Sequence, residues 1–167
     1  MNADGTGQRE ISLSGRRPVF SPDGTMIALS LTDSLAVDLT GGSVVAGSGA
    51  YVTWSPHGRY IAYTGNGLWV KNLETGVSRR VSKYLGQKPA WSPDGKVIAG
   101  GAGLNASLAL IRAKDGSHFT KLAASDIDGG VPSWSPQSLV AYTHAHACGI
   151  DVAREDGSHV RCLTRVC

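Results

Sequence analysis

Apolar residues in this chain come in short runs separated by turn signals, and the runs recur in groups of four. The stretch from Ala50 shows the pattern best. Ala50-Tyr51-Val52-Thr53-Trp54 is aromatic and β-rich, and Ser55-Pro56-His57-Gly58 follows, a turn in which proline presets φ and glycine is free to take positive φ. Tyr60-Ile61-Ala62-Tyr63-Thr64 is a second apolar run, closed by Gly65-Asn66-Gly67. Leu68 to Leu73 forms a third run with partial alternation, Glu74-Thr75-Gly76 turns the chain again, and Ser78-Arg79-Arg80-Val81-Ser82 is a more polar fourth. This spacing predicts four short strands joined by tight turns. No stretch carries an i, i+3, i+4, i+7 stripe over three turns, so the pattern predicts a chain that is almost entirely β.

The same score is written four times. The copies begin at Phe20-Ser21-Pro22-Asp23-Gly24, Trp54-Ser55-Pro56-His57-Gly58, Trp91-Ser92-Pro93-Asp94-Gly95 and Trp134-Ser135-Pro136-Gln137-Ser138, with their aromatic residues 34, 37 and 43 positions apart. A period in this range marks a stacked array. Four-stranded units repeated at it are blades of a β-propeller. The expected fold is therefore an all-β propeller of four-stranded antiparallel blades, a single domain over 1–167. Its blades are expected at about 16–48, 49–84, 86–124 and 129–167, with a half-blade hairpin at 1–14. Phe20, Trp54, Trp91 and Trp134 are expected to be buried between blades as packing anchors, each contributing a few kcal/mol. Gln137-Ser138 replaces the usual Asp-Gly, which predicts a looser turn in the fourth copy.

The pattern Trp-Ser-Pro-Asp-Gly, an Ile-Ala run, a third strand ending in Asp-Gly, then Arg-x-Leu-Thr resembles the repeat of TolB-like propellers. It is similar to the WD-like repeat of bacterial exported proteins. Trp91 to Gly95 with Ile98-Ala99, and Asp156-Gly157 through Leu163-Thr164, carry the resemblance best. Phe20 for tryptophan, His57 for the turn aspartate and Gln137-Ser138 depart from it. The resemblance implies a periplasmic or extracellular protein that binds other proteins. Met1 to Ser12 reads as the outer half of a blade whose inner half is missing. TolB-like propellers usually have more blades, so the chain is expected to be a fragment. Open blade edges would then let copies pair into homo-oligomers.

Composition narrows the function classes. A net charge of +3 and basic clusters no longer than Arg16-Arg17 and Arg79-Arg80 give no case for nucleic acid. No apolar run approaches the ~20 residues of a membrane span, and the polar N-terminus has no signal-peptide core.

Individual motifs add little chemistry. Asp23 and Asp94 recur in several blades and read as turn caps. Gly101-Ala102-Gly103-Leu104-Asn105-Ala106 fits a dinucleotide fingerprint, but a β-like run follows where the fingerprint needs a helix, so no cofactor is expected. His144, His146 and Cys148 alternate. On a straight strand they are too far apart for one zinc ion, so a wide turn is the plainer reading. There is no Gly-x-Ser-x-Gly elbow and no His-Glu-x-x-His.

A hairpin turning at Asp156-Gly157 sets Ile150 opposite Leu163 and puts Cys148 and Cys167 on one face. That favours a Cys148–Cys167 disulfide and an oxidising compartment. A one-residue shift would bring in Cys162 instead, and three free thiols is the remaining reading.

These readings point to a non-enzymatic protein-binding propeller that recognises its partner through the rim or channel. Arg16, Arg17, Lys88 and Asp128, in the loops leading to the first strands, are the rim candidates. The alternatives are a propeller that gates a peptidase or lyase domain lying elsewhere, and a sugar- or metal-binding propeller.

Overall fold

A computed structural model of the protein describes residues 16–30, 35–37, 49–103, 107–122, 131–144 and 149–164, together with Thr6. Among them there is no helix, and every sheet is antiparallel. The first sheet orders β1 (Arg16–Phe20), β2 (Ile27–Ser30) and β3 (Leu35–Val37). The second orders β4 (Val52–Trp54), β5 (Tyr60–Gly65), β6 (Gly67–Asn72) and β7 (Ser78–Ser82). The third orders β8 (Leu85–Trp91), β9 (Val97–Ala102), β10 (Ser107–Arg112) and β11 (Thr120–Lys121). The fourth orders β12 (Ser133–Trp134), β13 (Leu139–His144), β14 (Gly149–Arg154) and β15 (Arg161–Cys162). Each is a meander in chain order, the all-β blade that the repeat predicts. The half-blade expected at 1–14 lies outside the described residues, Thr6 excepted.

The repeat is visible in register. Phe20 pairs with Ile27, Trp54 with Ile61, Trp91 with Ile98 and Trp134 with Val140, so each aromatic anchor faces a branched residue across the first hairpin. The turn between them closes on itself. In the third copy the Ser92 hydroxyl donates to Asp94 Oδ1 at 2.7 Å and accepts from Val97 N at 2.9 Å. Asp94 Oδ1 also accepts from Lys96 N at 3.0 Å. Ser21 and Asp23 repeat this arrangement in the first copy.

The fourth turn is not looser, as its Gln137-Ser138 suggested. It is one residue shorter, closed by the bond from Ser138 N to Ser135 O at 3.1 Å. Ser138 takes φ 58°, the left-handed conformation that Gly24, Gly58 and Gly95 supply in the other copies.

Three hydrophobic clusters hold consecutive blades together. Val52, Trp54, Ile61 and Tyr63 of the second blade pack with Ala28 of the first. Ala62, Leu68, Val70 and Val81 of the second pack with Leu85, Trp91, Ile98 and Ile111 of the third. Ala99, Leu108, Leu110 and Leu122 of the third pack with Val140, Tyr142 and Ala153 of the fourth. Neighbouring residues of one strand therefore serve different cores: Ile98 faces back and Ala99 faces forward. A sheet packed on both faces needs continuous apolar strands, which is why β10 is buried from Ser107 through Ile111.

Trp54 and Trp91 are buried, at 6% and 9% exposure, and Trp134 is half-buried. Phe20 corrects the expectation: it is 64% exposed. The anchors pack toward the preceding blade, and among the described residues the first blade has none.

Candidate functional site

Adjacent first strands lie against one another, β1 against β4, β4 against β8 and β8 against β12. This sets the first strands on the axial side of the array. Two of them are bulged at the same place. The β1 register slips between Arg16 and Val19, and the β8 register slips between Gln87 and Ala90. The residue at each slip is basic and has positive φ, Arg17 at 54° and Lys88 at 45°. Each precedes a proline, which supplies no N–H to the ladder. A positive φ is uncommon outside glycine, and such bulges re-aim a side chain.

Arg17 is the second residue of β1 and Lys88 the fourth of β8, each three positions ahead of the anchor that leads into the Ser-Pro-Asp-Gly turn and so on the far side of the strand from it. Arg17 reaches toward the second blade: its Nη1 donates to Ala50 O at 3.2 Å, and its guanidinium carbon stands 4.5 Å above the Tyr51 ring. Arg16 is exposed, and its carbonyl accepts from the Ser30 hydroxyl at 3.0 Å. Lys88 is half-buried. Asp128 lies outside the described residues.

The opposite end is built by the Ser-Pro-Asp-Gly turns and by the turns between third and fourth strands. The sequence reading missed a second repeat here, Asp115-Gly116-Ser117-His118 and Asp156-Gly157-Ser158-His159. The signal was there, because the third and fourth copies share all four residues. In each, the aspartate accepts from the serine N–H, at 2.9 and 2.8 Å, and the histidine has positive φ, 53° and 54°.

The serine hydroxyl lies beside its neighbour's Nδ1 in both turns, at 3.1 and 2.8 Å. In the third blade Arg112 Nε donates to the same Nδ1 at 3.1 Å, occupying the lone pair that a general base would use. Asp94, at this end, has its carboxyl pulled two ways. Burial pushes it up, while hydrogen bonds from Lys96 and Ser92 and the Lys96 charge outweigh burial and lower it to about 2.

Among the described residues, no three His, Cys, Asp or Glu side chains gather to hold a metal. The His144, His146 and Cys148 trio lies outside the described side chains. The Gly101 to Ala106 segment joins β9 to β10 as antiparallel partners, and the strand at Ser107 stands where a dinucleotide site needs a helix. Leu163 N donates to Ile150 O at 2.7 Å, the register expected for the last hairpin. Cys162 is a free, exposed thiol, and Cys148 and Cys167 lie outside the described residues.

Solved structures share this arrangement. A protein assigned as a TolB from Agrobacterium tumefaciens superposes with a TM-score of 0.65 at 20% identity, over 88% of this chain and 64% of its own. The fold is that of a TolB-like β-propeller. TolB from Acinetobacter baumannii matches with a TM-score of 0.60 at 17% identity, over 88% of this chain and 40% of its own. A protein assigned as a dipeptidyl aminopeptidase IV from Bacteroides ovatus matches with a TM-score of 0.64 at 12% identity, over 91% of this chain and 34% of its own. The chain thus spans less than two thirds of each of these TolB-like or peptidase propeller proteins. No protein-family model and no curated protein sequence matches it.

Proposed function

We propose that this chain is a non-enzymatic binding module that takes an acidic segment of a protein partner at the axial mouth. Arg16, Arg17 and Lys88 would line the rim. The observation that carries this reading is the pair of basic residues held at positive φ before proline in alternate blades. Strain of this kind persists where the surrounding structure over-determines it, and it clusters at binding sites. Cations at one mouth steer and orient an acidic partner. The TolB-like fold supports a binding propeller, and a periplasmic or extracellular setting belongs to the same reading.

Titration calorimetry with an acidic decapeptide at low salt tests it. Binding should weaken with added salt and fall at least tenfold in an Arg17→Gln/Lys88→Gln variant. Binding indifferent to both changes would overturn the reading. The likeness to the Bacteroides ovatus protein favours a second reading, in which the propeller gates a catalytic domain elsewhere in the full protein. Peptidase activity in the full-length protein that is lost on deleting these blades would favour that one.

A further inference from the structure

Between the second and third blades, at the end of the array opposite the rim, lies a cleft of about 610 Å³. Its apolar walls come from Tyr60 and Val70 of one blade and Trp91 of the next. Its charged lining also comes from both blades: Arg79 from β7, and Arg112 and Lys114 from β10 and the turn after it.

The charge does not cancel. Lys96 also lines the cleft but is bound to Asp94 at 2.9 Å, and the lining carboxylate of Asp115, held by Ser117 N, offsets only one of the remaining cations. Arg79, Arg112 and Lys114 form no salt bridge among the described residues; Asp115 lies in the field of Lys114 and Arg112, and a net positive charge remains. Two of these three cations are fixed in place. Arg79 Nη2 donates to Ala113 O at 2.7 Å across the blade boundary, and Arg112 Nε donates to His118 Nδ1 at 3.1 Å. Each bond uses one N–H group and leaves the rest of the guanidinium fork free to bind an oxyanion. An isolated exposed cation means little. Cations delivered by two blades around one cavity, two of them already pinned, have lost the side-chain freedom that binding would otherwise cost.

The tryptophan wall differs from its counterparts. Trp54 and Trp134 bond carbonyls of the preceding blade, whereas Trp91 Nε1 is buried with no acceptor. The blade boundary at the cleft is therefore less fully satisfied than the other two.

We propose that this cleft binds an oxyanion, phosphate or sulfate, carried on a compact apolar group. The anion would sit among Arg79, Arg112 and Lys114, and the apolar body would lie against Tyr60, Val70 and the edge of Trp91. The site is at the far end from the rim and does not depend on the binding role proposed there.

The test is titration calorimetry with 1-naphthyl phosphate, 1-naphthyl sulfate and 1-naphthol at low salt. One saturable site is expected for the phosphate, with binding at least tenfold weaker in Arg112→Gln and in Lys114→Gln, and weaker again in added salt. Lys114 is an exposed turn residue, so its variant reports on binding even if Arg112→Gln perturbs folding. Arg17→Gln should leave the affinity unchanged. Sulfate binding as tightly as phosphate would show that a single negative charge is enough. Phosphate binding alone would show that the site takes the dianion. Naphthol binding as tightly as the phosphate, no binding of either anion, or affinity unchanged in Lys114→Gln would each overturn the proposal.

Discussion

The indole Nε1 of Trp54 donates to the backbone carbonyl of Val19, 3.0 Å away in the preceding blade. Trp134 makes the equivalent bond to Ala90 O at 3.1 Å. Each tryptophan thus fills the space between blades and also binds the chain next to its predecessor's anchor. Trp54→Phe keeps most of the burial and removes the bond, and should cost about 0.5–1.5 kcal/mol. Trp54→Ala should cost about 3–5 kcal/mol. Phe20→Ala, at an exposed anchor, should change stability by no more than about 0.5 kcal/mol. Urea denaturation of the three variants checks the ordering, and a large loss at Phe20 would contradict its exposed position.

Gly116 stands where its turn meets the outer strand of the second blade. A Cβ there would overlap the carbonyl oxygen of Val81, and φ is 77°. Gly76 has nearly the same φ, 72°, with open space around it. Gly76→Ala should cost about 1–2 kcal/mol from backbone conformation alone. Gly116→Ala should cost clearly more, because backbone must move as well. Thermal melts that rank the two equally would remove the steric part of the argument.

Asp94 gives the fold a pH dependence. Its folded-state value of about 2 lies below the ordinary 3.8, so its contribution is fully present above about pH 4 and is lost as pH falls toward 2. Stability should decline across that window, and Asp94→Asn should flatten the decline. Denaturation midpoints measured from pH 5 to pH 2 would show it.

Tyr142 is buried at 3% exposure with a hydroxyl that has no hydrogen-bond partner. Burial first, and then the charge of Asp151 on the paired strand, push its pKa up to about 12. A raised value means stability is intact below pH 10 and falls as pH rises toward 12. Tyr142→Phe should remove that alkaline decline. At neutral pH it should be neutral or stabilising by about 1 kcal/mol, since an unpaired buried polar group is removed.

The blades were legible because turn chemistry and short apolar runs are local. Ser-Pro-Asp-Gly and Asp-Gly-Ser encode turns within a few residues, and the structure places strands where those runs fall. The fate of Phe20 was not legible, because an anchor is buried only if a blade stands before it. The cleft was hidden for a related reason. Arg79 and Arg112 meet only because two blades stack, and in the sequence Arg79 is merely half of an Arg-Arg pair. The bulges had a local mark, a basic residue before proline three positions ahead of an aromatic anchor. Positive φ at that position could not be read from it.

The contact between Trp54 and Val19 has a direction. The second and fourth blades each reach backward with a donor to an acceptor offered forward, so the two faces of a blade are not interchangeable, and the joint is head-to-tail. A joint of that kind repeated at a steady rotation has no intrinsic stopping point except closure, when the last face meets the first. Val19 already uses its forward-facing carbonyl on Trp54, whereas Phe20 holds the anchor position, which serves the backward face, and is exposed. Whatever covers that flank, whether another blade of the same protein or one lent by a second copy, is specified in advance. It must arrive with an apolar, forward-turned face, and in one orientation.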